Sequence, residues 1–342
     1  MENKKRLDIS IMRIAATLAV VLLHTNNTLC NNTEFFKLSY KQYIFFSTSN
    51  YLMNWAVPIF FMITGYLLLD ENRNINYKDC LFKYSKRIFL ALFLFGIPFS
   101  IIEMIMNNHA LSFIYVIESI YNVFLGKSWS HLWYLYYLIG IYLIIPFLKS
   151  FTDNTEKYTY RYVLSVLFIF NFIIIILNRL FNIEIAFKIL IESFPVFYVL
   201  LGQYFKKYFL NAVKIKNIIF ILLMEIAIII AINMIAAPNS KIYLGYDSPV
   251  IALLAITIFL LFHNRSCYIS EFIWKIDRLC FGVYLIHPVF INLLYKGFKI
   301  TPISFGKIYP IISVLMWLGF VVISFVFSWV LNKIPILKKH VL

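Results

Sequence analysis

Ten apolar stretches, most of them near the length of a membrane span, govern what this chain can become. They run at 9–29, 44–69, 88–106, 132–149, 162–178, 189–205, 217–237, 249–263, 279–295 and 308–331. A helix rises about 1.5 Å per residue, so about twenty residues cross the roughly 30 Å hydrocarbon layer of a bilayer. The sixth and eighth runs are short, and the sixth carries Glu192 and Pro195. The stretch 111–125 is as short as the eighth run and holds Glu118, so it reads as an interfacial or re-entrant helix. The expected fold is all-α: a polytopic membrane bundle of about ten transmembrane helices. It forms one integral membrane domain over residues 1–342, with no linker and no second soluble domain.

Composition agrees. The chain is 62% apolar and only 14% charged. A soluble domain is about 45–50% apolar and about 25% charged, and no single soluble core of this length hides so much apolar surface. The net charge of +15 raises nucleic acid as a partner. The basic residues fall in the gaps between apolar runs, however, as membrane loops require, and no nucleic-acid partner is expected. With Lys4, Lys5 and Arg6 placed in the cytoplasm, 21 Lys and Arg lie on that side and 9 on the other. That imbalance puts both termini inside. The first run is not a signal peptide: Arg13 interrupts it, no small-residue cleavage site follows, and nine similar runs come after it. Cys30 then falls outside, Cys80 and Cys267 inside, and Cys280 at the inner end of the ninth run. Neither a disulfide nor a metal motif follows from that placement. No internal repeat supports an inverted-repeat transporter.

An ionisable group inside a span costs about 2.5–3.5 kcal/mol on insertion scales unless it is paired or hydrated. The first run holds Asp8, Arg13 and His24. From Arg13 to His24 is eleven steps, about 1100° of rotation, so the two share one face about 16 Å apart along the axis. That face must look into the bundle or a wet cavity. Arg6 lies on the same stripe. Asp8 is too far from His24 in height to touch it and is expected to pair with Arg13 or a loop cation. Arg13 reads either as a snorkelling anchor or as part of a site. His24 reads either as a helix-packing histidine or as a base that takes a proton from an alcohol near neutral pH. His131 fits an interfacial aromatic belt, and His287 precedes the kink-forming Pro288. Glu103, Glu192 and Glu225 are intramembrane acids that neutral burial would explain. Lys83, Lys86 and Arg87 open the third run, as positive-inside anchors or as ligands for phosphates of a cytosolic donor.

Four stretches carry a family resemblance: "RLDISIMRIAATLAVVLLH", "VPIFFMITGYLLL", "HLWYLYYLIGIYLIIPFL" and "CFGVYLIHPV". Their order and spacing resemble the acyltransferase 3 family of multi-span membrane proteins. The resemblance implies transfer of an acyl group, usually acetyl, from cytosolic acyl-CoA to a hydroxyl of an extracytoplasmic glycan or cell-envelope acceptor. It implies no metal. His24 would be the catalytic base, with Arg13 and Asp8 beside it in the opening motif. Lys83, Lys86 and Arg87 would hold the donor phosphates. The family often has two arginines three apart there, whereas Tyr84 stands three before Arg87. Tyr66, His131 and Trp133, from the second and third signatures, would meet the acceptor. Asn-, Ile-, Lys- and Tyr-rich composition points to an AT-rich bacterial genome, and the expected location is a bacterial inner or plasma membrane. Two other readings stay open. The membrane half of vancomycin-resistance serine racemases resembles this family and is associated with serine uptake, so a transporter module fits "VPIFFMITGY" as well. A polysaccharide export or assembly partner without catalysis is the third.

Overall fold

The computed structural model describes residues 7–108, 112–189, 193–209, 213–236, 244–263 and 270–342. Lys4, Lys5, Arg6, Glu192, Lys241, Arg265 and Cys267 lie outside the described residues. Among the described residues the chain is helical, without a strand.

Seven helices there are long and apolar enough to cross a membrane: Asp8–Cys30, Tyr40–Leu68, Tyr77–Ile105, Ser130–Asn154, Lys157–Phe181, Ile215–Ile235 and Pro302–Leu331. The pair Glu271–Asp277 and Cys280–Gly297, bent by 53°, makes an eighth if it is one span. The sixth and eighth apolar runs also form helices, Phe194–Tyr208 of 15 residues and Pro249–Phe262 of 14. At about 1.5 Å per residue each is some 21–23 Å long, short of a full crossing. By length the described residues therefore give seven or eight spans, where the ten runs suggested about ten. The stretch 111–125 contains only the 11-residue helix Ile114–Phe124. It buries Tyr115, Ser119 and Val123, one stripe at i, i+4 and i+8, and leaves Ile117, Tyr121 and Phe124 exposed.

The last long helix has a polarity inside-out relative to a soluble protein. Helix Tyr309–Leu331 buries Ser313, Phe320, Ser324 and Ser328, while Ile311, Leu315, Val322 and Trp329 are exposed. Small hydroxyl residues suit helix interfaces in lipid, where apolar side chains gain nothing by turning inward. The chain is a multi-pass membrane protein on these helices.

The chain clusters into two compact units. The first comprises Met1–Asp70 and Thr155–Trp329, the second Glu71–Asn154 and Val330–Leu342. At the centre of the first lies Phe194–Tyr208, buried on all sides from Pro195 to Phe205. It crosses Ala56–Leu68 backbone against backbone. A Cβ added to Gly65 would sit 1.8 Å from the Val199 carbonyl oxygen, and one on Gly202 would sit 2.0 Å from that of Met62. Phe61 meets Phe194 ring to ring at 6.4 Å, and Lys206 reaches the Tyr66 carbonyl at 3.1 Å and the Asp70 carboxylate. Phe61 against Phe194 at one end, and Tyr66 and Asp70 against Lys206 at the other, set the two helices parallel. In the second unit the helix Pro335–His340 leads into Val341 and Leu342, whose carbonyls both accept from the Arg87 guanidinium.

Candidate functional site

The first helix, Leu7–Cys30, positions the polar groups picked out in its sequence. Arg13 donates to both carboxylate oxygens of Asp277, at 2.6 and 2.7 Å, and Ser10 donates to the same carboxylate at 2.9 Å. Of the two partners expected for Asp8, Arg13 or a loop cation, Arg13 is not bonded to it. Five helical steps turn about 500°, which leaves those two side chains about 140° apart around the axis. Asp8 is buried instead and accepts from the backbone N–H of Ile9 at 2.9 Å.

Eleven residues on from Arg13, the His24 ring lies 5.1 Å from that of His287, inclined at 47°. His287 stands ten residues after Asp277, so both contacts join the first helix to the same bent pair, running parallel to it. The shared face of Arg13 and His24 thus looks onto one neighbour. His287 is fully buried, and its Nδ1 lies 3.0 Å from the Val283 carbonyl oxygen. Val21, Val283 and Ile291 belong to the surrounding apolar core. Just beyond His24 the interior turns polar: buried Asn26 donates to Ser49 at 2.8 Å and accepts from Ser313 at 3.4 Å.

Asp277 is not among the residues picked out in the sequence, and His287 reads there as a neighbour of the kink-forming Pro288. The signal for Asp277 was present, since "KIDRLCFG" places an acid at the very start of the ninth run. Asp277→Ala is expected to leave the Arg13 charge half-buried without its carboxylate and to cost about 3 kcal/mol. A lowered thermal midpoint in detergent, recovered by the exchange Arg13→Asp with Asp277→Arg, checks this.

Tyr66 is fully buried in the first unit. Lys206 lies 4.7 Å over its ring, and Phe259 and His263 pack at 6.1 and 6.0 Å. His131 and Trp133 belong to the second unit. His131 is buried on a short turn, its ring 6.0 Å from Phe99 and 6.2 Å from Trp129. Trp133 is half-buried and sets its edge against Tyr137 at 5.4 Å.

Lys83, Lys86 and Arg87 line a cavity of about 350 Å³ in the second unit. Lys338, Lys339 and His340 line it too; the two lysines read in the sequence as loop charge, and His340 carries no expectation there. Arg87 is engaged by the carbonyls of Val341 and Leu342, so it clasps the C-terminal segment as well as facing the cavity. At Tyr84, where the family pattern often has arginine, a guanidinium is still present. Arg73 donates to the Tyr84 hydroxyl at 2.8 Å, its charge 5.8 Å from the ring centre.

Among the described residues no group of three or more His, Cys, Asp or Glu is placed to hold a metal ion. The family model of the acyltransferase 3 type, an acyltransferase domain, matches residues 6–333. No curated protein and no solved structure matches the chain.

Proposed function

The chain belongs to the acyltransferase 3 family, and on that premise we propose that it is a membrane O-acyltransferase with His24 as its general base. The observation that carries the reading is the placement of His24. It is a histidine inside the membrane segment, set against His287 within an apolar core and aligned along one helix face with the Arg13–Asp277 pair. The donor is proposed to be cytosolic acyl-CoA, with acetyl as the acyl group, and both termini cytoplasmic. The acceptor is a hydroxyl of an extracytoplasmic glycan or other cell-envelope molecule in a bacterial membrane. The acceptor oxygen attacks the thioester carbonyl carbon as His24 takes the hydroxyl proton. A C–O bond forms, the C–S bond breaks, and the departing thiolate recovers the proton as free thiol. Arg13 is given a positioning role: its bond to Asp277 fixes the register of the first helix, and with it the height of His24. Asp8 lies buried in the first turn of that helix and keeps a proposed place in the catalytic motif, and Tyr66, His131 and Trp133 remain proposed acceptor contacts.

The test supplies reconstituted protein with radiolabelled acetyl-CoA and a cell-envelope glycan fraction. Label appearing on the glycan is the expected result. Label confined to acetyl-CoA and acetate, with serine flux across the vesicles, overturns the proposal.

Lys83, Lys86 and Arg87, joined by Lys338 and Lys339, are proposed to hold the donor phosphates, as clustered cations favour a polyanion. Changing Lys338 and Lys339 together to Ala is expected to weaken acetyl-CoA binding about tenfold, less at high salt because the charges are screened. Calorimetric titration in detergent reads the change, and an unaltered Kd removes both lysines from the site.

A further inference from the structure

We propose that His287 is a positioning residue for His24, the partner that fixes which imidazole nitrogen of His24 faces the substrate. The inference rests on the reading of His24 as a base. Its starting point is the contact of Nδ1 of His287 with the Val283 carbonyl, at 3.0 Å. A carbonyl oxygen only accepts, so Nδ1 must carry the hydrogen. In a neutral ring that leaves Nε2 with the lone pair. The tautomer of His287 is thus set by its own helix, four residues back, on a segment where the next residue is Pro288.

The His24 ring lies 5.1 Å from this prearranged acceptor, centre to centre. A neutral His24 also has one N–H and one lone pair. Accepting the N–H of His24 at Nε2 of His287 would leave the His24 lone pair on the opposite nitrogen, available to a hydroxyl. Histidines that act through one nitrogen are commonly oriented through the other, most often by a carboxylate or a carbonyl. Here a second imidazole with a fixed tautomer fills that part. It orients without bringing a negative charge into an apolar interior. The Arg13–Asp277 pair, on the same two segments, holds the rings at matching height.

The test compares His287→Leu, which fills a buried apolar position but offers no acceptor, with His287→Gln, whose side-chain oxygen still accepts. Two readouts are used. One is the rate at which diethyl pyrocarbonate modifies His24, followed by peptide mass spectrometry; this reagent attacks an imidazole lone pair and needs no acyl acceptor. The other is acetyl transfer from acetyl-CoA to the envelope glycan fraction. Loss of the partner that orients a metal-binding histidine typically costs about 10–100-fold, and the same scale is taken for His24. His287→Leu is expected to lower kcat by that factor with KM for acetyl-CoA unchanged, and to slow modification of His24. His287→Gln should recover most of both. A His287→Leu protein with normal His24 modification and normal kcat overturns the inference, as does a loss that His287→Gln fails to recover. If His24→Ala abolishes transfer while His287→Leu leaves it intact, the base assignment stands and only the positioning role falls. Transfer that survives His24→Ala removes the base itself.

Discussion

Gly202→Leu is expected to prevent accumulation of folded protein, and Gly65→Ala to lower the thermal midpoint sharply. The reason is that the helices Ala56–Leu68 and Phe194–Tyr208 touch through their main chains. The first added carbon at Gly65 would lie 1.8 Å from a backbone oxygen, and at Gly202 2.0 Å from another. No rotamer relieves such a clash, because neither partner atom is on a side chain. The crossing would have to open by more than an ångström, and Phe194–Tyr208 has neighbours on every side to resist it. Overpacking typically costs about 1–3 kcal/mol, occasionally more. A clash of backbone with backbone belongs at the upper end, and leucine beyond it. Gly140→Ala and Gly319→Ala are the controls. Both are helical, nothing lies within 4 Å of the added carbon, and alanine is favoured over glycine in a helix by about 0.5–1 kcal/mol. Size-exclusion profiles and thermal midpoints in detergent separate the cases. Equal behaviour of Gly65→Ala and Gly140→Ala would show that the crossing is not close. Because the first helix also packs on Ala56–Leu68, loss of this crossing should remove activity and fold together.

The helices were legible in the sequence because apolar length is a local property. Each of the ten runs contains a helix, and even the short sixth and eighth runs stood out as short. The shared face of Arg13 and His24 was legible for the same reason, since helical rotation needs only one segment. Angle also bears on Asp8: five steps from Arg13 put the two side chains about 140° apart, so of the two expected partners, Arg13 or a loop cation, rotation disfavours the first. What lay beyond reach were partners distant in the chain. Asp277 stands 264 residues from Arg13, and no periodicity links them. His287 carried a local explanation, the kink at Pro288, which concealed its contact with His24. Gly65 was noted inside a family signature, but its need to be glycine depends on Met62, Val199 and Gly202, and only the crossing reveals that. Lys338 and Lys339 read as loop charge, and only the fold of the C-terminal segment onto Arg87 gives them a cavity to line.

His24→Ala should do the opposite of the glycine substitutions, removing activity and leaving the fold. A positioned general base typically contributes about 10²–10⁴-fold to rate, and acetyl transfer to the envelope glycan fraction should fall by that factor. The alanine takes away one half-buried ring from the pair with His287. It leaves the Arg13–Asp277 bonds, the Asn26 polar layer and the Gly65–Gly202 crossing in place. Thermal midpoint and size-exclusion profile should therefore stay close to those of the parent. Acetyl-CoA binding should also hold, because the cations proposed for the phosphates line a cavity built entirely from residues 82–90 and 338–342. Three measurements on one variant then decide among the readings. Lost transfer with intact fold and intact donor binding is the signature of a missing base. Lost transfer with a lowered midpoint would return His24 to a packing role. Retained transfer would show that another group takes the hydroxyl proton, and the Arg13–His24 face would need a different purpose.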